Sequence, residues 1–447
     1  MEPNPSLSFW QKNRLILKAV FIGFLILVLL IPTFFIMFLV NDRESRRAEV
    51  VREVSSKWAD AQTVTGPFLA VPYYTEEKDA TTNKTVLRKN YLYILPDVLN
   101  VNGKLYPQIK HRSIFTVPVY SSNIQLSGSF KLPKPDKLPV SITALHFDES
   151  VVCLGIGDFK GIGENLRLQW NDSAYDFETG LPNIDWLRTG VSSTLKLSAE
   201  DITAKSSRFT ISIALKGSEW LYVTPFGNNT KVNLESTWNN PAFDGKYLPD
   251  TSVVTEKGFT AEWKVMQFNR SYPQSFTSLS DYSISESSFG VRLLQPIDSY
   301  AQTMRSVKYA VLVIALTFFV YFFLEMYNKR KVHALQYILI GFALVLFYTL
   351  LLSISEYIAF GQAYLVAAAA TILLIGWYTM GIFKKWPVVL LFSLILTMLY
   401  LFIYVLIQLQ DNALLFGSIG LFVLLAVIMY FSRRINWSEE ESTVIPS

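Results

Sequence analysis

A single cysteine, Cys153, stands in 447 residues, so no disulfide can form within the chain. A cysteine-stapled fold and a multi-thiolate metal centre are both excluded. Histidine is almost as scarce: the three present, His111, His146 and His333, fall in no H-E-x-x-H or comparable metal-ligand spacing. No G-x-S-x-G elbow occurs, so the local signature of a hydrolase nucleophile is missing. Nor does any 20–50-residue period repeat, which argues against a solenoid or propeller. These gaps leave no catalytic residue, metal or cofactor to expect.

Charge is the next thing in short supply. Charged residues make up 17% of the chain, and six apolar stretches contain almost none. They run over about 19–40, 309–327, 334–353, 363–383, 387–409 and 413–431. Each reaches the roughly 20 apolar residues that a helix rising 1.5 Å per residue needs to cross about 30 Å of hydrocarbon. None contains aspartate. The G-I-G-D at Gly155–Asp158 therefore cannot belong to an intramembrane aspartyl protease, which requires two aspartates at membrane depth.

What charge there is sits between the apolar stretches. Lys12/Arg14/Lys18, Lys329/Arg330/Lys331, Lys384/Lys385 and Arg433/Arg434 occupy alternate connections, while the loops near 353–362 and 410–412 have no lysine or arginine. The positive-inside rule then puts both termini in the cytoplasm and exports residues 41–302. Arg43, Arg46, Arg47, Arg52 and Lys57 follow the first crossing and oppose this locally. Long domains translocate largely regardless of charge, so the concordant later clusters decide the orientation. The first crossing has no small-residue cleavage site after it and reads as a signal anchor. The net charge of +4 and pI near 8.8 follow from these anchoring residues, and no nucleic-acid partner is expected.

The expected organisation is a cytoplasmic basic N-terminus (1–18), a first transmembrane helix (19–40) and a juxtamembrane helical stalk (41–62). An exported β-rich domain (63–302), a bundle of five transmembrane helices (303–432) and a cytoplasmic tail (433–447) complete it. The stalk follows from Val50, Val51, Val54, Trp58 and Ala61 near helical spacing, with its charged face directed to lipid headgroups or packed on the domain. The β-rich domain follows from period-two segments rich in β-branched and aromatic residues, such as NYLYIL, SIFTVPVY, NIQLSGSFKL, RFTISIAL, KVNLESTW and FTAEWKV. Clusters of Pro, Gly, Asn and Asp separate them, so an antiparallel sandwich or curved sheet is expected. A subdivision near 131–138, at LPKPDKLP, stays open. Cys153 reads as a buried strand thiol.

In GIGDFKGIG (Gly155–Gly163) the third glycine arrives one residue too late for a dinucleotide fingerprint, and a strand follows rather than a helix. A glycine-supported turn capped by Asp158 is expected. His146 and Asp148 on one face of a strand would form a weak acid/base pair, without an identifiable nucleophile. Among residues near the crossings, Glu325 precedes Lys329 by four, the spacing of a helical ion pair. Lys308 and Glu356 lie on the same outer side, where a helical hairpin would join them. Thr317, Tyr321, Tyr348, Thr371 and Thr397 read as hydrogen-bonding glue between helices. Trp10, Trp377, Trp386 and Trp437 read as interfacial anchors.

Taken together, SYAQTMRSVKYAVLVIALTFFVYFFLE (Ser299–Glu325), HALQYILIGFALVLFYTLLLSISEYIAF (His333–Phe360), GPFLAVPYY, GDFKGIG and ESTWNNPAFDGKYLP make the chain resemble the CreD family over nearly its whole length. These are inner-membrane proteins of Gram-negative bacteria associated with cell-envelope integrity and envelope-stress tolerance. The resemblance implies no catalytic residue and no cofactor. It marks Gly157, Asp158, Gly161, Trp238, Lys308, Tyr309, Glu325, His333, Gln336 and Glu356 as motif residues without an assigned role. The resulting expectation is a non-enzymatic inner-membrane protein in contact with membrane lipids. Its periplasmic β domain would bind a protein, lipid or cell-wall partner. The alternatives are a lipid-handling or transport protein that uses the helix bundle and, behind it, a membrane-bound envelope hydrolase.

Overall fold

The computed structural model describes residues 14–78, 85–132, 138–198, 206–278, 282–293, 299–328, 330–409 and 412–433. Lys12, Trp10, Lys329, Arg434 and Trp437 lie outside them, as do residues 133–137, where a subdivision was left open. The chain divides into two compact units, one made of Met1–Arg46 with Ile297–Ser447 and the other of Arg47–Pro296.

The first helix, α1 (Arg14–Trp58), runs uninterrupted through the boundary expected between crossing and stalk. After Val40 the segment NDRESRRAEVVREVSSKW contains neither glycine nor proline, so nothing in it stops the helix. Its C-terminal part lies against the β unit rather than presenting a free charged face. Trp58 Nε1 donates to the Tyr120 carbonyl at 3.3 Å, and Arg112 pairs with Glu53 at 3.2 Å. The Lys110 and Lys216 ammonium groups lie 4.5 and 5.1 Å from the Trp58 ring centroid.

In the β unit the alternating segments form strands β1 (Gln62–Lys78), β2 (Thr85–Ile94), β3 (Val98–Arg112), β4 (Phe115–Phe130), β5 (Ser150–Gly155) and β6 (Arg167–Trp170). They continue as β7 (Ser173–Asp176), β8 (Glu178–Thr179), β9 (Gly190–Leu195), β10 (Ser207–Ser218), β11 (Trp220–Thr224) and β12 (Asn229–Ser236). The last are β13 (Pro241–Gly245), β14 (Thr251–Thr255), β15 (Gly258–Met266), β16 (Ser275–Phe276) and β17 (Phe289–Leu293). Two sheets result. One has the order β13-β17-β11-β1-β5-β9-β8, with β2 on β1 and β16 on β2; the other is β14-β15-β12-β3-β4-β10-β6-β7.

Inward residues of both sheets, including Phe68, Leu69, Val101, Leu126, Ile211 and Trp263, join one hydrophobic core, which makes the unit a sandwich. Pairing is mostly antiparallel, as expected, but β1–β11 and β3–β12 are parallel. Parallel partners need long connections, which period-two patterns do not reveal. The segments SIFTVPVY and NIQLSGSFKL belong to the single strand β4. It pairs with β3 along its length and turns through Ser113 and Ile114, with Ser113 at φ 56°.

Cys153 is buried in β5, and burial pushes its thiol well above the ordinary range. A maleimide is therefore expected to leave it unlabelled in the native protein and to modify it only on unfolding. Labelling at the rate of a free thiol under native conditions would contradict this placement.

In the other unit, α2 (Ser299–Lys308) straddles the boundary expected at 302/303 between the exported domain and the bundle. Its buried positions Tyr300, Thr303, Ser306 and Val307 recur at helical spacing, a short amphipathic pattern masked by the apolar run beside it. At Tyr309 the chain redirects into α3 (Ala310–Tyr327). There follow α4 (Ala334–Ser355), α5 (Phe360–Phe383), α6 (Trp386–Gln408) and α7 (Ala413–Ser432). Among the described residues five helices, α1 and α3–α6, are long and apolar enough to cross a membrane, and α7 carries an apolar stretch over Leu414–Ala426. Trp377 and Trp386 are 76% and 67% exposed, which suits interfacial anchors.

Candidate functional site

Apart from Trp238, the motif residues fall into three places. At one end of the helical unit the Glu325 carboxylate is buried and three groups from other segments converge on it. It pairs with the Lys18 ammonium of α1, accepts from the Tyr337 hydroxyl at 2.9 Å and accepts from the Val332 amide at 3.0 Å. Lys18 also donates to the Val332 carbonyl at 3.1 Å. The i,i+4 spacing pointed to Lys329, which lies outside the described residues. The partner found is Lys18, 307 positions away. His333 and Gln336 support the same end by capping α4: His333 Nδ1 accepts from the Leu335 amide, and Gln336 Oε1 accepts from the His333 amide.

At the other end, Glu356 receives the Tyr300 hydroxyl at 3.3 Å and lies 3.6 Å from Arg43 Nε. Lys308, the expected partner, is exposed at the end of α2; the ion pair of Glu356 is with Arg43. Lys18 and Arg43 lie about 38 Å apart along α1 at 1.5 Å per residue, slightly more than the hydrocarbon thickness. The two pairs hold α1 to its neighbours at both edges of the apolar band.

The glue residues act differently from the expectation. Thr371 and Thr397 bond back to the carbonyls of Ala367 and Ser393 within their own helices. Tyr364 makes a bond between helices, to the Tyr400 carbonyl at 2.8 Å. The hydroxyls of Thr303, Ser306, Thr317, Tyr348 and Tyr400 are buried without a hydrogen-bond partner among the described residues.

Asp158 forms the third place. It caps a 3₁₀ turn over Phe159–Gly161, accepting from the Lys160 amide, and its second oxygen accepts from the Asp60 amide at 3.0 Å. Beside it the buried Gln62 side chain donates to the carbonyls of Asp158 and Lys216, both at 3.0 Å, and accepts from the Asp158 amide at 3.1 Å. Gly157 and Gly161 admit this amide. A Cβ at Gly161 would stand 2.5 Å from Gln62 Nε2 and press on the Lys216 carbonyl. GDFKGIG is thus a structural node that docks the start of β1. Trp238 lies on the turn after β12, held by Nε1 donating to the Asn240 carbonyl at 3.1 Å.

His146 and Asp148 do not share a strand face. Asp148 sits in a 3₁₀ turn that His146 precedes, and the imidazole packs edge-on to Tyr74 at 5.1 Å. Among the described residues no group of three or more His, Cys, Asp or Glu side chains could hold a metal ion.

A place with room for a ligand lies away from all of these motifs. A groove of about 910 Å³ lies over the outer face of the β14-β15-β12-β3-β4-β10 sheet. Asn102, Gln125, Ser212 and Glu262 lie on its floor, and Thr251–Val253 and Glu164–Leu166 line it from strand β14 and from the loop beside β10. In the plane of the sheet Lys104 pairs with Glu235 at 2.9 Å, and Glu262 with Lys231 and Lys264 at 3.0 and 3.3 Å; Glu164 adds a carboxylate at the rim. The signal was present in LNVNGKLY and NIQLSG, whose outward positions are amide-rich, but period two alone does not show which outward faces curve.

The family model described as inner membrane protein CreD matches residues 14–438. The chain belongs to the CreD family. Inner membrane protein CreD of Escherichia coli (strain K12) is 30% identical over 418 residues, covering 92% of this chain and 91% of that relative. As in the rest of the CreD family, the chain is an inner membrane protein. Among solved structures, an M1 zinc metallopeptidase from Deinococcus radiodurans aligns over 39% of each chain at 11% identity and a TM-score of 0.20. A two-domain M1 zinc metallopeptidase aligns over 39% of each at 10% identity and a TM-score of 0.17. Likeness at that level carries no inference about activity.

Proposed function

We propose that this CreD-family protein is a non-enzymatic component of envelope integrity or envelope-stress tolerance. In this reading the helices anchor and orient a periplasmic β domain that binds a component of the envelope. The observation that carries it is the open groove of about 910 Å³ on the outer sheet face, which has room for a ligand and a polar lining suited to hold one. Both termini are cytoplasmic in this arrangement, membrane lipids surround the bundle, and residues 41–302 face the periplasm.

The test is complementation of an envelope-permeability defect in a null strain by full-length variants. Asn102→Arg with Gln125→Arg, both exposed positions, is expected to abolish rescue while abundance stays normal. Full rescue by this variant would remove the groove from the function. For the orientation, an alkaline phosphatase reporter joined after residue 256, in the β14–β15 turn, is expected to be active. A reporter joined after residue 433 is expected to be inactive. The opposite pattern would invert the topology.

A second reading, lipid handling by the bundle, draws on the buried hydroxyls of Thr303, Ser306, Tyr348 and Tyr400, which have no partner among the described residues. Such groups are costly in apolar surroundings unless something occupies their hydrogen-bonding capacity. Tyr348→Phe with Tyr400→Phe separates the readings. An anchoring role predicts unchanged rescue with stability equal or higher, whereas lipid handling predicts loss of rescue at normal abundance.

A further inference from the structure

We infer that the groove on the β14-to-β10 face is a binding site for an uncharged polyhydroxylated chain, a glycan strand. This rests on the reading that the β domain binds an envelope component, and it names the chemistry of that component.

The geometry begins with register. Glu262, Asn233, Asn102, Gln125 and Ser212 are direct cross-strand partners on β15, β12, β3, β4 and β10, so they form one continuous row. The next row outward is Thr260, Glu235, Lys104 and Asn123. With strands about 4.8 Å apart, the six strands from β14 to β10 span about 24 Å. Thr251–Val253 and Glu164–Leu166 stand at opposite sides of that span and still line one groove, so the sheet curls and its floor is concave. A trough of this length takes several sugar units side by side.

The chemistry of the floor selects among ligands. Sugar hydroxyls donate and accept at once, and asparagine and glutamine side chains do the same. An Asn233 amide already donates to Asn102 Oδ1 at 2.9 Å, which aligns the pair across two strands. The ion pairs of Lys104 with Glu235, and of Lys231 and Lys264 with Glu262, cancel charge locally. That leaves little attraction for phosphate, an anionic headgroup or a polyanion, for which a clustered positive face is the requirement. Half-exposed Val253 on one wall supplies an apolar ledge for the C–H faces of sugar rings. A peptide adding to this sheet would use the unpaired groups of its edge strand β14, whereas the floor of the groove is the side-chain face of β15, β12, β3, β4 and β10, each paired on both sides.

The experiment uses the full-length protein in lipid nanodiscs, because detergents with sugar headgroups would compete. The probes are the N-acetylglucosamine tetramer and the cellulose glucose hexamer, both uncharged, titrated calorimetrically. Saturable binding is expected, weakened about tenfold or more by Asn102→Ala with Gln125→Ala, as loss of a few hydrogen bonds would give. It should stay unchanged in Glu178→Ala on the other sheet and at raised salt. Thermal unfolding of the variants checks that the fold is intact. No saturation with either probe, or binding indifferent to the groove variants, overturns the inference. A groove that instead holds an envelope protein, lost in Asn102→Arg, overturns it as well. If the arginine variants abolish rescue while no glycan binds, the ligand class fails and the proposed function stands. If glycan binding is lost yet rescue is complete, the site is a glycan site and the proposed function fails.

Discussion

Lys18→Ala is expected to cost the helical unit about 3–5 kcal/mol, because it strands the buried Glu325 carboxylate that Lys18 neutralises. The Tyr337 and Val332 hydrogen bonds offset only part of that. Glu325→Ala is expected to be comparably harmful, since the ammonium is then left beside the Val332 carbonyl and the Tyr337 ring. Lys18→Met with Glu325→Met should recover most of the loss, as replacing a whole buried pair by apolar groups of similar volume is often neutral or better. Thermal unfolding in nanodiscs and steady-state abundance provide the readouts. Single variants as stable as the parent, or a double variant worse than either, would sink the clamp. The pair at the other edge should matter much less. Arg43 is nearly half exposed and 3.6 Å from Glu356, so Arg43→Ala is expected to cost under about 1 kcal/mol.

Gln62→Leu carries the second large effect, expected to be about 3 kcal/mol or more in the β unit. Gln62 is fully buried, and its amide makes three hydrogen bonds to main-chain groups of Asp158 and Lys216. Leucine fills similar space but strips this partner from the Lys216 carbonyl and the Asp158 amide, each loss costing about 1–3 kcal/mol, while the Asp158 carbonyl keeps the Gly161 amide at 3.2 Å. Gly161→Val should be as damaging by a different route, since its side chain would occupy the space of the Gln62 amide and the Lys216 carbonyl. Cys153 offers the readout within the same unit. Maleimide labelling under native conditions is expected to accelerate in both variants and to stay slow in Asp158→Asn, which keeps an acceptor for the cap. Equal labelling in all three would mean that the node does not hold the β unit together.

The apolar crossings and the strands could be read along the chain because their causes are local. A helix that spans lipid needs length and an absence of charge, and a half-buried strand needs alternation. Both properties belong to contiguous residues. The turn at GDFKGIG was legible for the same reason, since an aspartate that caps the next amides acts within three residues. Where neighbouring patterns blurred together, local reading failed. Helix α2 hid beside the longer apolar run of α3, and the stalk proved continuous with the first crossing, because no residue in NDRESRRAE ends a helix.

Partners set by pairing across the fold were a different matter. Glu325 had a lysine four residues on, and spacing made Lys329 the obvious choice. Its described partner is Lys18, brought over by the packing of α1 against α3 and α4. Glu356 likewise meets Arg43, not Lys308. The parallel pairs β1–β11 and β3–β12, and the groove whose floor draws one residue from each of five strands, depend on which strands lie side by side. Membrane placement, strand content and family were therefore fixed by hydrophobic length, period and contiguous motif, which act over a few residues. The ion-pair clamps, the Gln62 node and the polar trough were fixed by contacts between residues tens to hundreds of positions apart. Only closure of the sheets and packing of the helices brings such residues within hydrogen-bonding distance.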